Sequence, residues 1–218
     1  MSNNFNNLID SLHKNNTNIY IIHGIGTDIG KTHTICRLIK TLNEKIKQNF
    51  VIKPLVSGIN FDDIEKSDNF KLLAAAFGRN PSFDEVKQIS RYIFTEPLSP
   101  DIASWAQGIN IDFEEIILFC KEWIGCARQE NKRLFIETAG GVCSPCTNTH
   151  TMADISKALL ATDVENILIA TQYLGAISHT ISALQILKFD KLVINRNDEH
   201  FSQSIINHLP YEIDVYSI

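Results

Sequence analysis

The sequence predicts an α/β fold, a single domain with a mostly parallel sheet and helices on both faces. Short β-branched runs alternate along the chain with longer amphipathic segments, which is the pattern of strands joined by helical crossovers. The 218 residues are 44% hydrophobic, enough for one full core. A strand at residues 19–22 also leads through a glycine loop directly into a helix. A parallel sheet covered by helices accounts for all three observations.

The glycine loop has the residue types of a phosphate cradle. Gly26 and Gly30 permit the close backbone approach that lets successive N–H groups point at one anion. Lys31 offers a charge to the β- and γ-phosphates, and Thr32 offers a hydroxyl to Mg²⁺. The pattern G-x-x-x-x-G-K-[ST] is not met strictly, since Ile25 stands at its first position and the nearest upstream glycine lies one residue too far out. The flanking strand and helix still predict a P-loop NTPase-like fold that binds a nucleoside triphosphate.

The second strand is expected at residues 50–58 and carries a lysine where it leaves the sheet. Pro54 holds Lys53 in an extended conformation, which fixes the direction of the lysine side chain. Ligand sites in open α/β sheets lie at the carboxyl ends of the strands, so Lys53 and Ser57 are expected to face the phosphate loop. A surface lysine and a turn serine are the alternative for this stretch.

Two carboxylates are candidates for a magnesium site. Glu137 ends a buried strand at residues 133–137 and is followed by two nearby glycines, an arrangement typical of the acid that reaches Mg²⁺ in P-loop proteins. Asp68 stands at a helix start next to Ser67, and either residue could instead be a simple helix cap.

Residues 1–18 are expected to form an extension ahead of the domain at residues 19–218. Phe5, Leu8 and Leu12 recur in it at helical spacing, which predicts a short helix. We expect this helix to serve packing or solubility ahead of the first strand.

The remaining segments continue the alternation of helices and strands. One helix is expected to begin at Ser67 or Asp68, and another to follow Pro100 and continue through residue 105. Further helices are expected over residues 112–128, 152–160, 175–187 and 201–209. Strands are expected over residues 167–170, 191–195 and 213–218. Trp105 and Trp123 fall on two of these helices, and we expect both to belong to the core.

Charge and hydropathy exclude several classes of partner. The 20 basic and 25 acidic residues give a formal net charge of −5 without a basic cluster, so neither a nucleic acid nor an anionic membrane surface is expected to bind. No apolar run is long enough to span a bilayer, and the N-terminus lacks the pattern of a signal peptide. The five cysteines are an odd number in a chain too large to need disulfides. A cytosolic protein is expected.

Four stretches of the sequence read GIGTDIGKT, KPLVSG, ETAGG and LVIN, and they begin at residues 24, 53, 137 and 192. Together they resemble the dethiobiotin synthetase family, P-loop enzymes of biotin synthesis. The flanking pieces PLSP, TMAD and LGAISH extend the likeness from about residue 19 to about residue 195. The extra residue in the phosphate loop is also a feature of that family.

The resemblance implies an ATP- and Mg²⁺-dependent ligase that converts 7,8-diaminononanoate and CO₂, supplied as bicarbonate, into dethiobiotin by way of a carbamate and a carbamic-phosphoric anhydride. It implies catalytic roles for Thr27, Lys31 and Lys53, and metal ligands at Thr32, Asp68 and Glu137. The ATP site would comprise Asp28, Ile29, Gly30, Lys31, Thr32, His33, Asp68, Glu137, Thr138, Ala139, Gly140 and Asn195. The substrate would meet Thr27, Lys53, Ser57 and a helix start at Gly175, Ala176, Ile177 and Ser178, the last contributed by the partner subunit of a homodimer.

Two departures from the family pattern concern the nucleotide. Thr138 replaces a glycine, and its side chain is expected to crowd the phosphates or the metal. Residues 196–198 lack the proline expected after Asn195, so the second contact on the adenine side cannot be placed.

Two other functions compete with the ligase. A partitioning or septum-site ATPase would share the fold, but such proteins usually carry an additional lysine early in the phosphate loop, and residues 24–29 contain none. A non-catalytic nucleotide-binding module would tolerate the loss of Lys53 or Glu137, and both residues are present.

Overall fold

A parallel sheet organises the chain. The computed structural model describes residues 4–14, 18–43, 49–195 and 198–218, and the helices and strands lie within these ranges. The strands are β1 (Ile19–Gly24), β2 (Asn49–Ile52), β3 (Leu55–Val56), β4 (Tyr92–Ile93), β5 (Arg133–Glu137), β6 (Val164–Thr171), β7 (Lys191–Asn195) and β8 (Asp214–Ser217). The main sheet has the order β2-β5-β1-β6-β7-β8 with parallel neighbours, and β3 pairs with β4 in parallel. The predicted α/β class is confirmed.

Helices connect these strands. They are α1 (Phe5–Lys14), α2 (Lys31–Asn43), α3 (Asp68–Phe77), α4 (Phe83–Gln88), α5 (Pro100–Ala106), α6 (Phe113–Gln129), α7 (Met152–Ala158), α8 (Ala176–Ile186) and α9 (Glu199–Ile206), with a 3₁₀ turn at Phe61–Lys66. Every position of β1 is buried, as happens when both faces of a sheet are covered. Among the described residues, no helix is both long and apolar enough to cross a bilayer.

The central position of β1 sets the location of the site. β1 lies between β5 and β6, and the register places Ile22 opposite Glu137. Because the strands are parallel, the loops that follow β1 and β5 emerge side by side at the carboxyl edge of the sheet. The phosphate loop and residues 138–141 are therefore neighbours.

The predicted second strand, residues 50–58, is divided in two. β2 ends at Ile52, and β3 pairs with β4 instead of continuing the main sheet. Pro54 stands at the break, where it has no N–H to donate to a ladder. The N–H of Lys53 donates to the Ile89 carbonyl oxygen at 2.9 Å, so the chain turns away at the lysine.

The expectation for Trp105 is wrong, because its side chain is 83% exposed. Its neighbours Ala103 and Ser104 are buried on the short helix α5, and the next residue points about 100° around the helix axis, toward solvent. Trp123 on α6 is half-buried and packs edge-on against Phe50, with ring centroids 5.5 Å apart.

Helix α1 confirms the helix predicted within residues 1–18 and joins the main core. Leu8 and Leu12 are buried in the same apolar cluster as the strands of the sheet. The hydroxyl of Tyr20 on β1 donates to the Leu12 carbonyl oxygen at 3.3 Å. The expected packing role suits these contacts, whereas the division of the chain at residue 18 stays a prediction.

We predict that Leu12→Ala lowers the free energy of unfolding of the whole domain by about 2–5 kcal/mol, the usual cost of such a cavity. The measurement is equilibrium unfolding in urea. Leu118→Ala is the matched control, since Leu118 lies on the exposed face of α6 and should change stability by less than about 0.5 kcal/mol. Equal stability of the two variants would show that α1 is not part of the cooperative core.

Candidate functional site

The phosphate loop is held open by two left-handed residues. Asp28 takes φ +55° and Gly30 takes φ +93° just before α2 begins at Lys31. Aspartate tolerates this conformation better than most residues, but at Gly30 a Cβ atom would also lie 2.7 Å from Nδ2 of Asn195. The loop therefore presents backbone at the start of α2, where the helix dipole favours an anion.

Lys31 lies beneath this loop and joins it to the loop after β5. Its Nζ atom donates to the carbonyl oxygen of Gly26 at 3.0 Å and to that of Gly140 at 2.7 Å. Burial lowers the pKa of Lys31 to about 8, although the nearby Glu137 carboxylate favours the charged form. A phosphate group close to Nζ would offset this burial and raise the pKa again.

A charge cluster of buried Lys53, buried Glu137 and half-buried Asp68 lies beside Lys31. Nζ of Lys53 is 2.7 Å from Oδ2 of Asp68 and 2.9 Å from Oε1 of Glu137. Burial disfavours the charged form of Lys53, but the two carboxylates outweigh burial and raise its pKa above the usual value. Burial alone would raise the pKa of Asp68, yet the charge of Lys53 lowers it. The ammonium group of Lys53, the residue that follows β2, thus joins the start of α3 to the end of β5.

Thr32 and Glu137 suit a magnesium ion. The Thr32 hydroxyl donates to both oxygens of the Glu137 carboxylate, at 2.9 and 3.0 Å. Among the described residues, no group of three or more His, Cys, Asp and Glu side chains could hold a metal alone. Mg²⁺ commonly takes one or two carboxylates and completes its shell with water and phosphate oxygens, so a hydroxyl with the carboxylates of Glu137 and Asp68 fits this ion.

Asp68 is not the cap of helix α3. The Ser67 hydroxyl accepts a hydrogen bond from the N–H of Phe70, and Asp68 is the first helical residue. Of the two residues that could have capped this helix, Ser67 takes the role, which leaves the Asp68 carboxylate for Lys53.

One cavity, which we call the lysine cavity, has a volume of about 450 Å³. It is lined by Lys31, Lys53, Asp68 and Glu137 together with Thr27, Asp28, Ser57, Gly58, Pro97, Leu98, Ser99, Pro100, Ala139, Gly140 and Ser144. The Ser57 hydroxyl oxygen is buried and has no hydrogen-bond partner within the described part of the chain. Such an atom is costly unless a ligand or water pairs with it.

A second cavity, which we call the Asn195 cavity, has a volume of about 670 Å³. It begins at the phosphate loop and is lined by Thr27, Asp28, Ile29, Gly30, His33, Arg37, Thr171, Gln172, Tyr173, Asn195 and Ile218. Nδ2 of Asn195 donates to the Ile29 carbonyl oxygen at 3.0 Å, and Oδ1 accepts from the Thr34 hydroxyl at 3.1 Å. Among the described residues, one N–H and one lone pair of the amide have no partner. Residues 196 and 197, which follow it, lie outside the described residues.

Thr138 does not crowd the phosphate loop, contrary to the expectation. Its hydroxyl donates to the Ile22 carbonyl oxygen at 3.1 Å and lies 3.3 Å from Nδ1 of His23, inside the core. Nε2 of His23 is 2.6 Å from the Ser156 hydroxyl oxygen. Burial, with the charge of Lys31, lowers the pKa of His23 to about 3 and keeps the ring neutral. Position 138 therefore faces β1, and only its backbone can face the loop.

The start of α8 lies apart from both cavities. Gly175, Ala176, Ile177 and Ser178 are absent from the residues that line them. The N–H of Ala176 already donates to the Tyr173 carbonyl oxygen at 3.0 Å, so this group is not free for a carboxylate as the sequence suggested. Gly175 takes φ +96°, and Ser178 is exposed.

The structure brings most of the predicted site residues together at one edge of the sheet. Four further residues of this region were not predicted from the sequence, namely Ser99, Ser144, His23 and Arg37. Ser99 lies in the PLSP stretch and Ser144 directly precedes Pro145, and neither position carries a local sign of the lysine cavity. Arg37 follows His33 by four residues, so both side chains lie on one face of α2, and this spacing could have indicated Arg37.

Comparisons with known proteins agree with this geometry. A family model described as an AAA domain matches residues 18–212. The ATP-dependent dethiobiotin synthetase BioD of Caulobacter vibrioides is 36% identical over 167 residues, which cover 77% of this chain and 72% of that protein. The enzyme of the same name from Acidiphilium cryptum is 32% identical over 203 residues and covers 87% of each chain.

Solved structures support the fold. FtsY from Mycoplasma mycoides has a TM-score of 0.56 at 14% sequence identity, and the match covers 95% of this chain and 67% of FtsY. At an identity this low, the similarity supports a shared architecture and no inference about function. The family-model match together with identities above 30% over most of both chains shows that the protein belongs to the dethiobiotin synthetase family of P-loop proteins.

Proposed function

We propose that this protein is an ATP-dependent dethiobiotin synthetase, which closes the ureido ring of dethiobiotin on 7,8-diaminononanoate with CO₂ as the carbon source. The observation that carries the proposal is the buried Lys53 between Asp68 and Glu137, beside the phosphate loop and in the wall of the lysine cavity. Family membership and the relatives named as this enzyme support it.

The two cavities suit the two substrates. The phosphates of ATP would lie at the start of α2, with the nucleoside in the Asn195 cavity. Diaminononanoate would place its amines in the lysine cavity, near Thr27, Lys53 and the unpaired Ser57 hydroxyl. Both cavities include Thr27 and Asp28, so the reacting ends of the substrates would meet there.

The proposed reaction has two transfers. A carbamate, formed from one substrate amine and CO₂, attacks the γ-phosphorus through an oxygen, and the bond from that phosphorus to the ADP oxygen breaks. The second amine then attacks the carbonyl carbon of the anhydride and expels phosphate, which closes the ring. Lys31 and Lys53 offset the negative charge of two anions that must approach, and the cavity walls hold both reactants in place.

Mg²⁺ would be held by Thr32, Asp68 and Glu137. Bound there it would neutralise phosphate charge during transfer. Lys53 also contacts both carboxylates, so their orientation is fixed in advance of nucleotide binding.

A homodimer would complete the substrate site. The helix start at Gly175 lies outside both cavities of its own chain, which suits a role toward a partner subunit. Backbone N–H groups of Ile177 and Ser178 and the dipole of α8 would attract the far carboxylate of the substrate. No nucleic acid or membrane partner is proposed, and the cytosolic location stays a prediction.

The competing functions have less support. The likeness to FtsY concerns the fold alone, and the phosphate loop has no early lysine.

The test of the proposal is ATP hydrolysis with and without diaminononanoate and bicarbonate, with dethiobiotin identified by mass spectrometry. Hydrolysis that ignores both substrates, with no dethiobiotin formed, would contradict the proposal.

The first prediction for this function concerns Lys31. Lys31→Ala removes the charge beside the phosphates, and we expect kcat/KM for ATP to fall by about 10²-fold or more. Circular dichroism checks that the variant is folded. Lys40→Ala is the control, because Lys40 is an exposed cation in the last turn of the same helix and should leave the rate unchanged. Near-native turnover by Lys31→Ala would remove Lys31 from the site.

The second prediction separates metal binding from helix capping. Asp68→Asn keeps an oxygen for Lys53 but loses the charge, so the Mg²⁺ concentration for half-maximal activity should rise strongly. Ser67→Ala removes the observed cap, and should lower stability by about 1 kcal/mol without changing the Mg²⁺ response. If the Mg²⁺ response of Asp68→Asn matches that of the wild type, Asp68 is not a metal ligand.

The third prediction concerns the start of α8. Valine at Gly175 would strain the left-handed backbone, so the exposed Ser178 is the better probe. Ser178→Glu suits the helix dipole but repels a carboxylate, and we expect the KM for diaminononanoate to rise by about tenfold or more with the KM for ATP unchanged. Ser178→Gln, of equal size and neutral, should have a much smaller effect. A monomer with full activity, measured by sedimentation, would rule out a site shared between subunits.

A further inference from the structure

Arg37 lies in the wall of the Asn195 cavity, and neither the proposed phosphate site nor the proposed metal site involves it. It follows His33 by four residues on α2, so the two side chains share one face of the helix, and both line the cavity. This face continues from the start of α2, where the phosphate loop presents its N–H groups. A ligand that extends from the phosphate loop along this face of α2 therefore reaches Arg37.

The N-terminal helix α1 holds this guanidinium in place. The Arg37 Cζ atom lies 3.8 Å from the centroid of the Phe5 ring, the distance of a cation–π contact. Phe5 is half-buried and packs against the main apolar core, and Leu8 and Leu12 anchor the same helix. The aromatic ring thus supplies a fixed surface for one face of the guanidinium, and within the described residues no acceptor pairs with the N–H groups around its edge.

Within the described ranges, no carboxylate lies within salt-bridge distance of Arg37. Other arginines, such as Arg79, Arg91 and Arg128, each pair with an acid. Arg37 is therefore a cation with an aromatic support, a cavity in front of it and no acidic partner in the part of the chain that the structure describes. Planar cations of this kind stack on flat rings and donate to their acceptor atoms.

We propose that Arg37, supported by the Phe5 ring, contacts the nucleoside end of the bound nucleotide in the Asn195 cavity. The inference rests on the proposed function in that a nucleotide must occupy the phosphate loop. It gives the N-terminal helix a second task besides packing, because a residue of α1 positions a residue of the nucleotide site. The contact involves the base and ribose. The triphosphate would instead be bound by Lys31 and the N–H groups of the phosphate loop.

The experiment compares two probes, Mg-ATP and inorganic tripolyphosphate with Mg²⁺, by isothermal titration calorimetry. Arg37→Ala should weaken ATP binding on the order of tenfold while tripolyphosphate binding stays within about twofold of the wild type. Arg37→Lys keeps the charge but loses the plane, and should recover little of the loss. Phe5→Leu keeps apolar bulk without an aromatic face, and should weaken ATP binding a few-fold in a variant that a thermal unfolding curve shows to be folded at the assay temperature.

Lys121→Ala is the control for net charge, since Lys121 is an exposed cation on α6 away from the site. An unchanged ATP affinity in Arg37→Ala would overturn the proposal. So would an equal loss for both probes, or full recovery by Arg37→Lys, because either result means a long-range charge effect. An ATP affinity in Phe5→Leu equal to that of the wild type would overturn the role of α1. Wild-type protein that binds ATP but makes no dethiobiotin would contradict the proposed function and leave this contact intact.

Discussion

The structure of the site depends on one buried charge. Lys53 is an ammonium group taken out of water, and it is stable there because Asp68 and Glu137 lie within 2.9 Å of it. Glu137 is only 1% exposed, so loss of Lys53 would leave a buried carboxylate without its cation, at a cost of about 3–5 kcal/mol. The same contacts fix the end of β2, the start of α3 and the end of β5. The geometry of the lysine cavity and the local stability of these elements therefore have a common cause.

The sequence predicted this edge of the sheet well because its signals are local. A glycine loop between a strand and a helix, a lysine before proline and an acid at the end of a buried strand each follow from backbone conformation within a few residues. Parallel pairing then places Glu137 beside the phosphate loop without further information. The resemblance to the family added the substrates, which no spacing could supply.

The remaining errors come from tertiary contacts. Trp105 is exposed although large aromatic residues are usually buried, because Ala103 and Ser104 occupy the inner face of a short helix. Thr138 points into the core because the hydroxyl can pair there with Ile22 and with His23, a residue 115 positions earlier in the chain. Local patterns do not carry such information, since each outcome is set by a neighbour that packs against the residue in the folded chain.

The phosphate loop lies between the two cavities and contributes residues to both. Thr27 and Asp28 line both cavities, so under the proposed function this short segment would separate the nucleotide from the substrate and would also be the point where their reacting ends meet. Asp28 and Gly30, both at positive φ, turn the backbone at this point of the wall between the two cavities. Lys31 lies under the same wall and bonds to carbonyl oxygens on both sides of it, at Gly26 and Gly140. Under the proposed function, a phosphate that draws Lys31 toward itself would alter the contacts of both loops, and nucleotide binding would then change the shape of the lysine cavity.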